Sequence, residues 1–251
     1  MTDNRYDSTR AAWEQIWQQA DVAAELEIVR SKRSLAAMRL YTPYLPQDDL
    51  ILEAGSGLGA VIITLRRRGY KVVGLDYATN ALHATHQYDG DLRLLAGDIH
   101  DLPFADATLG AYLSFGVLEH FEHGLLPGLR EAQRVLKPDG VLVLTIPYPN
   151  VIYRLVQAKR MMTGEGQLTD EDFYESAYSR AALTDNVEAA GFRVLKAEPL
   201  SHAFTLWGLG GPFRGQGYYQ TSAAAEATGD VLREVLPWAF NFMTLVVARK
   251  V

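Results

Sequence analysis

Ile51-Leu52-Glu53-Ala54-Gly55-Ser56-Gly57-Leu58-Gly59-Ala60 is the stretch on which the fold turns. Its first half continues the run begun at Asp49 and Leu50, short and largely apolar, and is stopped by glycines. A run of that kind ahead of a helical pattern is what a buried parallel strand looks like. Gly55, Gly57 and Gly59, at alternate positions, let the backbone turn tightly and approach a ligand with no Cβ in the way. From Ala60 to Arg68 the apolar spacing becomes helical, and Gly69 closes it. Taken alone, strand, glycine turn and helix fit a ligand loop or merely a tight turn.

Working outward, the same grammar repeats. Lys71–Asp76 predicts a second strand, Thr79–Gln87 a helix, Leu92–Asp98 a third strand and Leu109–Phe115 a fourth. Leu126–Leu136 predicts a helix and Gly140–Pro147 a fifth strand. Strands alternating with helices require crossover connections, so the fold class is α/β with a mostly parallel sheet and helices on both faces. Upstream, Thr9 to about Leu45 carries two or three helices, with Trp13 and Trp17 on one helical face, and Pro43 and Pro46 end that region. Downstream, Asn150–Met162 predicts a helix, Gly164–Gln167 a loop, Ser179–Ala190 a helix ended by Gly191, and Phe192–Ala197 and Phe242–Ala248 two last strands. The long segment between those strands, rich in glycine and aromatics in its first half, is expected to be an irregular lid. One domain over 1–251 follows, with N-terminal helices at 1–46, a core at 47–148, and lid or substrate insertions at 149–190 and 199–238.

Composition narrows the function classes. A chain of 251 residues can bury roughly 70–75% of its unfolded surface, enough for one substantial core. A formal net charge of −6 has the wrong sign for a phosphate backbone, so no nucleic acid is expected as a partner. With no cysteine, disulfides, thiolate metal sites and cysteine nucleophiles are excluded. The polar N-terminus carries no secretory-type apolar run and no segment approaches the ~18 apolar residues of a membrane span, so a cytoplasmic location without stable membrane insertion is expected. The basic, partly apolar helix at 151–162 is ranked as a lid or subunit contact before a membrane contact, which leaves room for a homodimer.

Several features in the right order make residues 51–146 resemble the class I, seven-stranded, Rossmann-like methyltransferase family that uses S-adenosylmethionine. Glu53 with Ala54, Gly55, Ser56, Gly57, Leu58 and Gly59 is similar to its first motif. The resemblance implies that Asp76, followed by Tyr77, takes the ribose hydroxyls, a task suited to a carboxylate because it offers only acceptors. It implies that Gly97, Asp98 and Ile99 contact adenine, Asp98 accepting from the exocyclic amine and Ile99 packing on the ring. Ser114, Phe115 and Gly116, running on to Glu119-His120, are similar to the segment ending strand four, and Leu136-Lys137-Pro138-Asp139-Gly140 to the turn before strand five. Gly110 departs from the pattern, standing where the family often has an acidic residue.

Gly55, Gly57 and Ala60 also fit a dinucleotide fingerprint, with Asp76 about 20 residues on, so a nicotinamide oxidoreductase is the rival reading. Against it, the chain has no Tyr-x-x-x-Lys pair, and Glu53 beside the loop would repel a pyrophosphate. A non-catalytic cofactor-binding module is the third alternative. Within the methyltransferase reading, a small-molecule acceptor methylated at oxygen is preferred to nitrogen, because His120 follows strand four and is placed to act as a base. A loop-shaping role for His120 stays open. His100 and His202 are weaker candidates, and His83, His86 and His123 are expected at the surface. Trp13, Trp17, Tyr148, Tyr178 and Trp207 are candidate acceptor contacts, with Phe173, Tyr174, Phe204, Phe213, Tyr218 and Tyr219 as further lid aromatics. No metal is expected; Glu119-His120 and Glu122-His123 read as a solvated turn.

Overall fold

In the computed structural model the described residues are 4–19, 21–163, 175–217 and 219–251. The predicted loop at Gly164–Gln167 and the aromatics Phe173, Tyr174 and Tyr218 lie outside them.

Seven strands form one sheet: β1 (Ile51–Ala54), β2 (Val72–Asp76), β3 (Arg93–Ala96), β4 (Leu109–Phe115), β5 (Leu136–Pro147), β6 (Phe192–Leu200) and β7 (Met243–Lys250). Their order is β3-β2-β1-β4-β5-β7-β6. All neighbours run parallel except β7, which lies antiparallel between β5 and β6. Period-two alternation sends each strand's side chains to opposite faces. Ile51, Leu113, Val143 and Val247 join one core, with Ile62 and Ala81; Leu52, Tyr112, Leu144 and Val246 join the other, with Leu129 and Leu183. These central positions are fully or almost fully buried, so truncating one, as in Leu113→Ala, costs about 2–5 kcal/mol.

The helices are α1 (Asn4–Gln19), α2 (Val22–Arg30), α3 (Lys32–Tyr41), α4 (Ala60–Arg67), α5 (Thr79–Tyr88), α6 (Leu126–Val135), α7 (Val151–Thr163), α8 (Arg180–Ala189), α9 (His202–Trp207) and α10 (Ala223–Val235). The α4 and α5 side of the sheet also receives α2 and α3, through Leu26 and Met38. Asp21 caps α2 and Ser31 caps α3, each accepting a hydrogen bond from a first-turn amide, so the chain breaks between the two helices where the caps dictate.

Three local expectations change, and the departure at Gly110 finds its reason. Strand five begins at Leu136, because Lys137–Gly140 is an irregularity inside the strand, with Asp139 at φ +60°, and not a turn before it. Strand six continues to Leu200, paired residue by residue with β7 as far as Met243. The segment between them is largely helical: α9 and α10 pack around Ala203, Leu206 and Ala225, with Ser222 capping α10. Ala223–Val235 is an amphipathic helix whose signal was masked by the glycines and aromatics before it. Finally, a Cβ on Gly110 would lie 2.3 Å from Asp49 Cβ, so this chain has no room for an acidic side chain there.

Candidate functional site

Between β1 and β4 the connections leave in opposite directions, and the carboxyl ends of the strands open a crevice there, the place where open α/β sheets bind ligands. Gly55 and Ser56 both donate to the Leu75 carbonyl, at 2.8 and 3.0 Å, which ties the loop to the end of β2. Gly55, Gly57 and Gly59 all have positive φ, at +78°, +49° and +69°. All three also sit where a side chain meets a neighbour: a Cβ would come 2.4 Å from Val117 at Gly55, 2.7 Å from Trp17 at Gly57 and 2.6 Å from Thr85 at Gly59.

Above this loop lies a cavity of about 220 Å³. Glu53, Asp76 and Tyr77 line it from the ends of β1 and β2, Phe115 and Gly116 from β4, and Val117, His120 and Phe121 from the turn that follows. The first two helices supply the cover, Trp13 and Trp17 from α1 and Glu25 and Val29 from α2. The two indoles stack at 5.3 Å between centroids, and Trp13 meets the buried His120 ring edge-on at 5.2 Å. A second cavity, of about 190 Å³, shares Val29, Val61 and Phe115 with the first.

Charge in the first cavity is dominated by two buried carboxyls. Burial pushes Glu53 up to about 8; the Ile62 amide at the start of α4 pulls the other way and the Asp76 charge adds to the rise. Its Oε2 is buried without a hydrogen-bond partner, as is Ser56 Oγ. Burial also raises Asp76, opposed by backbone amides: Oδ2 accepts from Gly57 at 2.7 Å and Oδ1 from Ala78 at 2.8 Å. A carboxylate has about four acceptor positions; the amides of Gly57, Tyr77 and Ala78 orient Asp76, and its remaining acceptor capacity is open to a ligand hydroxyl.

Of the expected cofactor residues, Glu53, Gly55, Ser56, Gly57, Gly59, Asp76, Tyr77, Phe115 and Gly116 line this cavity, and Ala54 and Ser114 are buried in the strands behind it. Gly97, Asp98 and Ile99 are not in the lining: Asp98 Oδ1 accepts from the His100 amide at 2.8 Å and lies 2.9 Å from its Nδ1, and Ile99 is packed into the core. His100 in turn meets Phe121 edge-on, so Phe121 stands between this element and the cavity. Trp13 and Trp17 reach the site; Tyr148, Tyr178 and Trp207 do not. Tyr148 packs on Trp238, Tyr178 on the core, and Trp207 stacks on Phe204 near Tyr219, with the Arg214 guanidinium over its ring. His202 is buried elsewhere, its Nε2 2.8 Å from the Pro237 carbonyl. His83, His86 and His123 are exposed.

Glu25, Val29, Val61, Val117 and Phe121 were not foreseen in the lining. Glu25 was the legible one, a carboxylate within the apolar face of a short helix, and burial now raises it while Arg33 lowers it. Among the described residues no group of three or more His, Asp or Glu could hold a metal, and no helix is long and apolar enough to cross a membrane.

A glycine loop and two acidic strand ends meet at the switch point of a doubly wound α/β domain, an arrangement that the comparisons relate to known proteins. Residues 52–144 match the model of the methyltransferase domain family. The chain is 30% identical over 147 residues to a Mycolicibacterium smegmatis protein named "Probable S-adenosylmethionine-dependent methyltransferase", covering 57% of this chain and 52% of that one. It is 34% identical over 112 residues to the demethylmenaquinone methyltransferase of Corynebacterium kroppenstedtii, covering 42% and 47%. The chain thus spans about half the length of these curated relatives. An S-adenosylmethionine-dependent methyltransferase from Mesorhizobium loti superposes with a TM-score of 0.61 at 16% identity, over 88% of this chain and 100% of that one, a likeness of fold. Over residues 52–144 the chain is thus similar to S-adenosylmethionine-dependent methyltransferases.

The cavity fits that cofactor. A buried, unpartnered carboxyl oxygen on Glu53 suits the ammonium of its amino-acid end, the acceptor-only carboxylate of Asp76 suits a ribose hydroxyl, and the left-handed glycines bring backbone close without a Cβ.

Proposed function

We propose that the protein is an S-adenosylmethionine-dependent methyltransferase that alkylates a small-molecule acceptor at oxygen, in the cytoplasm. The observation that carries this reading is Glu53, a buried carboxyl at the carboxyl end of β1 with an unpartnered oxygen facing a glycine-lined cavity. A pyrophosphate would be repelled there and an ammonium held.

When bound, S-adenosylmethionine supplies a methyl group already activated by a sulfonium. The chain's own work is then alignment and exclusion of water. Glu53 binds the ammonium, Asp76 holds the ribose while Gly57 and Ala78 hold Asp76, and Trp13 and Trp17 cover the cavity. Asp98, engaged by His100, is left out of the contacts proposed. His120, buried in the wall and braced by Trp13, takes the proton from the acceptor hydroxyl.

Calorimetry with S-adenosylhomocysteine and with NADH tests the cofactor. Binding of the first and not the second is expected; the reverse would overturn the proposal. Transfer of labelled methyl across a panel of phenols, alcohols, acids and amines then tests the acceptor atom, and product formed only from amines would remove the role given to His120.

A further inference from the structure

The second cavity opens between α2, α3 and the ends of β5, β6 and β7, and shares Val29, Val61 and Phe115 with the cofactor cavity as a common wall. Met38, Met243 and Leu245 make much of its surface apolar, and among the described residues Arg33 is the one charged residue lining it. Its 190 Å³ exceeds the ~150 Å³ that suffices for benzene, so a single ring or a short chain fits.

Arg33 is held in place on two sides. Its guanidinium carbon lies 4.7 Å from the Phe204 ring centroid, and Nη2 donates to the Tyr219 carbonyl at 3.1 Å. Nη1 is buried with no hydrogen-bond partner. Glu25 and Glu226 are the acidic groups whose field acts on Arg33, yet neither accepts from Nη1, and Glu226 already accepts from the Thr221 hydroxyl. A planar fork fixed by stacking and one bond, with a dry donor left over, is prepared for an oxygen that the protein itself does not provide.

We propose that this chamber takes the body of the methyl acceptor and that Arg33 binds an oxyanion on it, so that the substrates are small aromatic or aliphatic acids. The inference rests on the methyltransferase reading above for what happens to the bound molecule. It does not depend on that reading for binding.

The test is calorimetry of the full chain, with and without saturating S-adenosylhomocysteine, using phenylacetate, benzylphosphonate and the neutral 2-phenylethanol as probes. At least one of the two anions should bind at least tenfold more tightly than the alcohol, and the preferred anion tells a carboxylate from a phosphate source. Arg33→Met should erase that preference while leaving the alcohol and S-adenosylhomocysteine affinities within about threefold of the parent. Ala37→Trp, which fills the chamber one helical turn from Arg33, should abolish binding of all three probes. Equal affinities for anion and alcohol, anion preference surviving Arg33→Met, or no probe binding at all would overturn the proposal. Should the probes bind as expected while S-adenosylhomocysteine gives no heat, the chamber stands and the methyltransferase reading falls.

Discussion

The two walls of the site are built on different physical terms. One wall is the glycine loop with the ends of β1, β2 and β4, where backbone conformation does the work: three positive φ angles, each at a position where a Cβ would strike a neighbour at 2.4 to 2.7 Å. The other wall, supplied by α1, α2 and α3 with the far ends of β6 and β7, is made of side chains: two stacked indoles, aliphatic groups and one arginine. The first wall admits almost no substitution without losing its shape. The second can change its contents while its helices stay in place, so acceptor selectivity is expected there and cofactor binding is not.

The largest effect should come from breaking the backbone wall. Gly55→Val adds atoms against Val117 at φ +78°, and a loss of S-adenosylhomocysteine affinity of about 100-fold or more is expected by calorimetry, since both strain and collision act. Next comes His120→Asn, which should lower turnover by about 100- to 10,000-fold if the imidazole is the base, with cofactor affinity within a factor of about three. A fall in affinity equal to the fall in rate would instead make His120 part of the cofactor wall.

The third prediction uses pH. Glu53 rises to about 8 in the empty site, so it is largely protonated at neutral pH, whereas holding an ammonium requires the carboxylate. S-Adenosylhomocysteine affinity should therefore increase by up to about tenfold per pH unit between pH 6 and 8 and level off above, and Glu53→Gln should flatten the profile. Folding stability has the opposite slope. A carboxyl raised in the folded state contributes fully below its unfolded value near 4.5 and loses that contribution as pH climbs through 8. Thermal melts of the ligand-free protein should fall over that interval, less so in Glu53→Gln. The smallest effect should come from the side-chain wall: Trp17→Ala should weaken S-adenosylhomocysteine by only about three- to tenfold, because it opens the cover without altering the loop. A loss as large as that of Gly55→Val would erase the distinction between the walls.

How much of this was legible in the residues follows the same division. Glu53, the three glycines, Asp76, Tyr77, Phe115 and Gly116 sit at strand ends, where period and spacing place them, and all of them line the cavity. Gly97, Asp98 and Ile99 share that grammar, yet Asp98 turns to His100, because a short acidic side chain satisfies the nearest donors in its own turn. Tyr148, Tyr178 and Trp207 were legible as aromatics near the site, but aromatic character says only that a ring will be buried, and here other rings and the core bury them. Arg33 lay in plain view on a predicted helix with nothing to mark it, whereas Glu25 was marked by standing within an apolar helix face.

The sequence by itself determined the parallel sheet, the glycine loop and the acidic strand ends, because strand period and glycine chemistry are local and survive any arrangement of the remainder. Only the tertiary structure decided that α1 and α2 cover the loop, that α9 and α10 pack together, that Phe121 stands before Asp98, and that Arg33 lines an apolar chamber and keeps one buried donor unpartnered. Those facts depend on contacts between residues as much as 186 positions apart, as in the Arg33 to Tyr219 hydrogen bond, and helix spacing alone does not say which partner a helix face will meet.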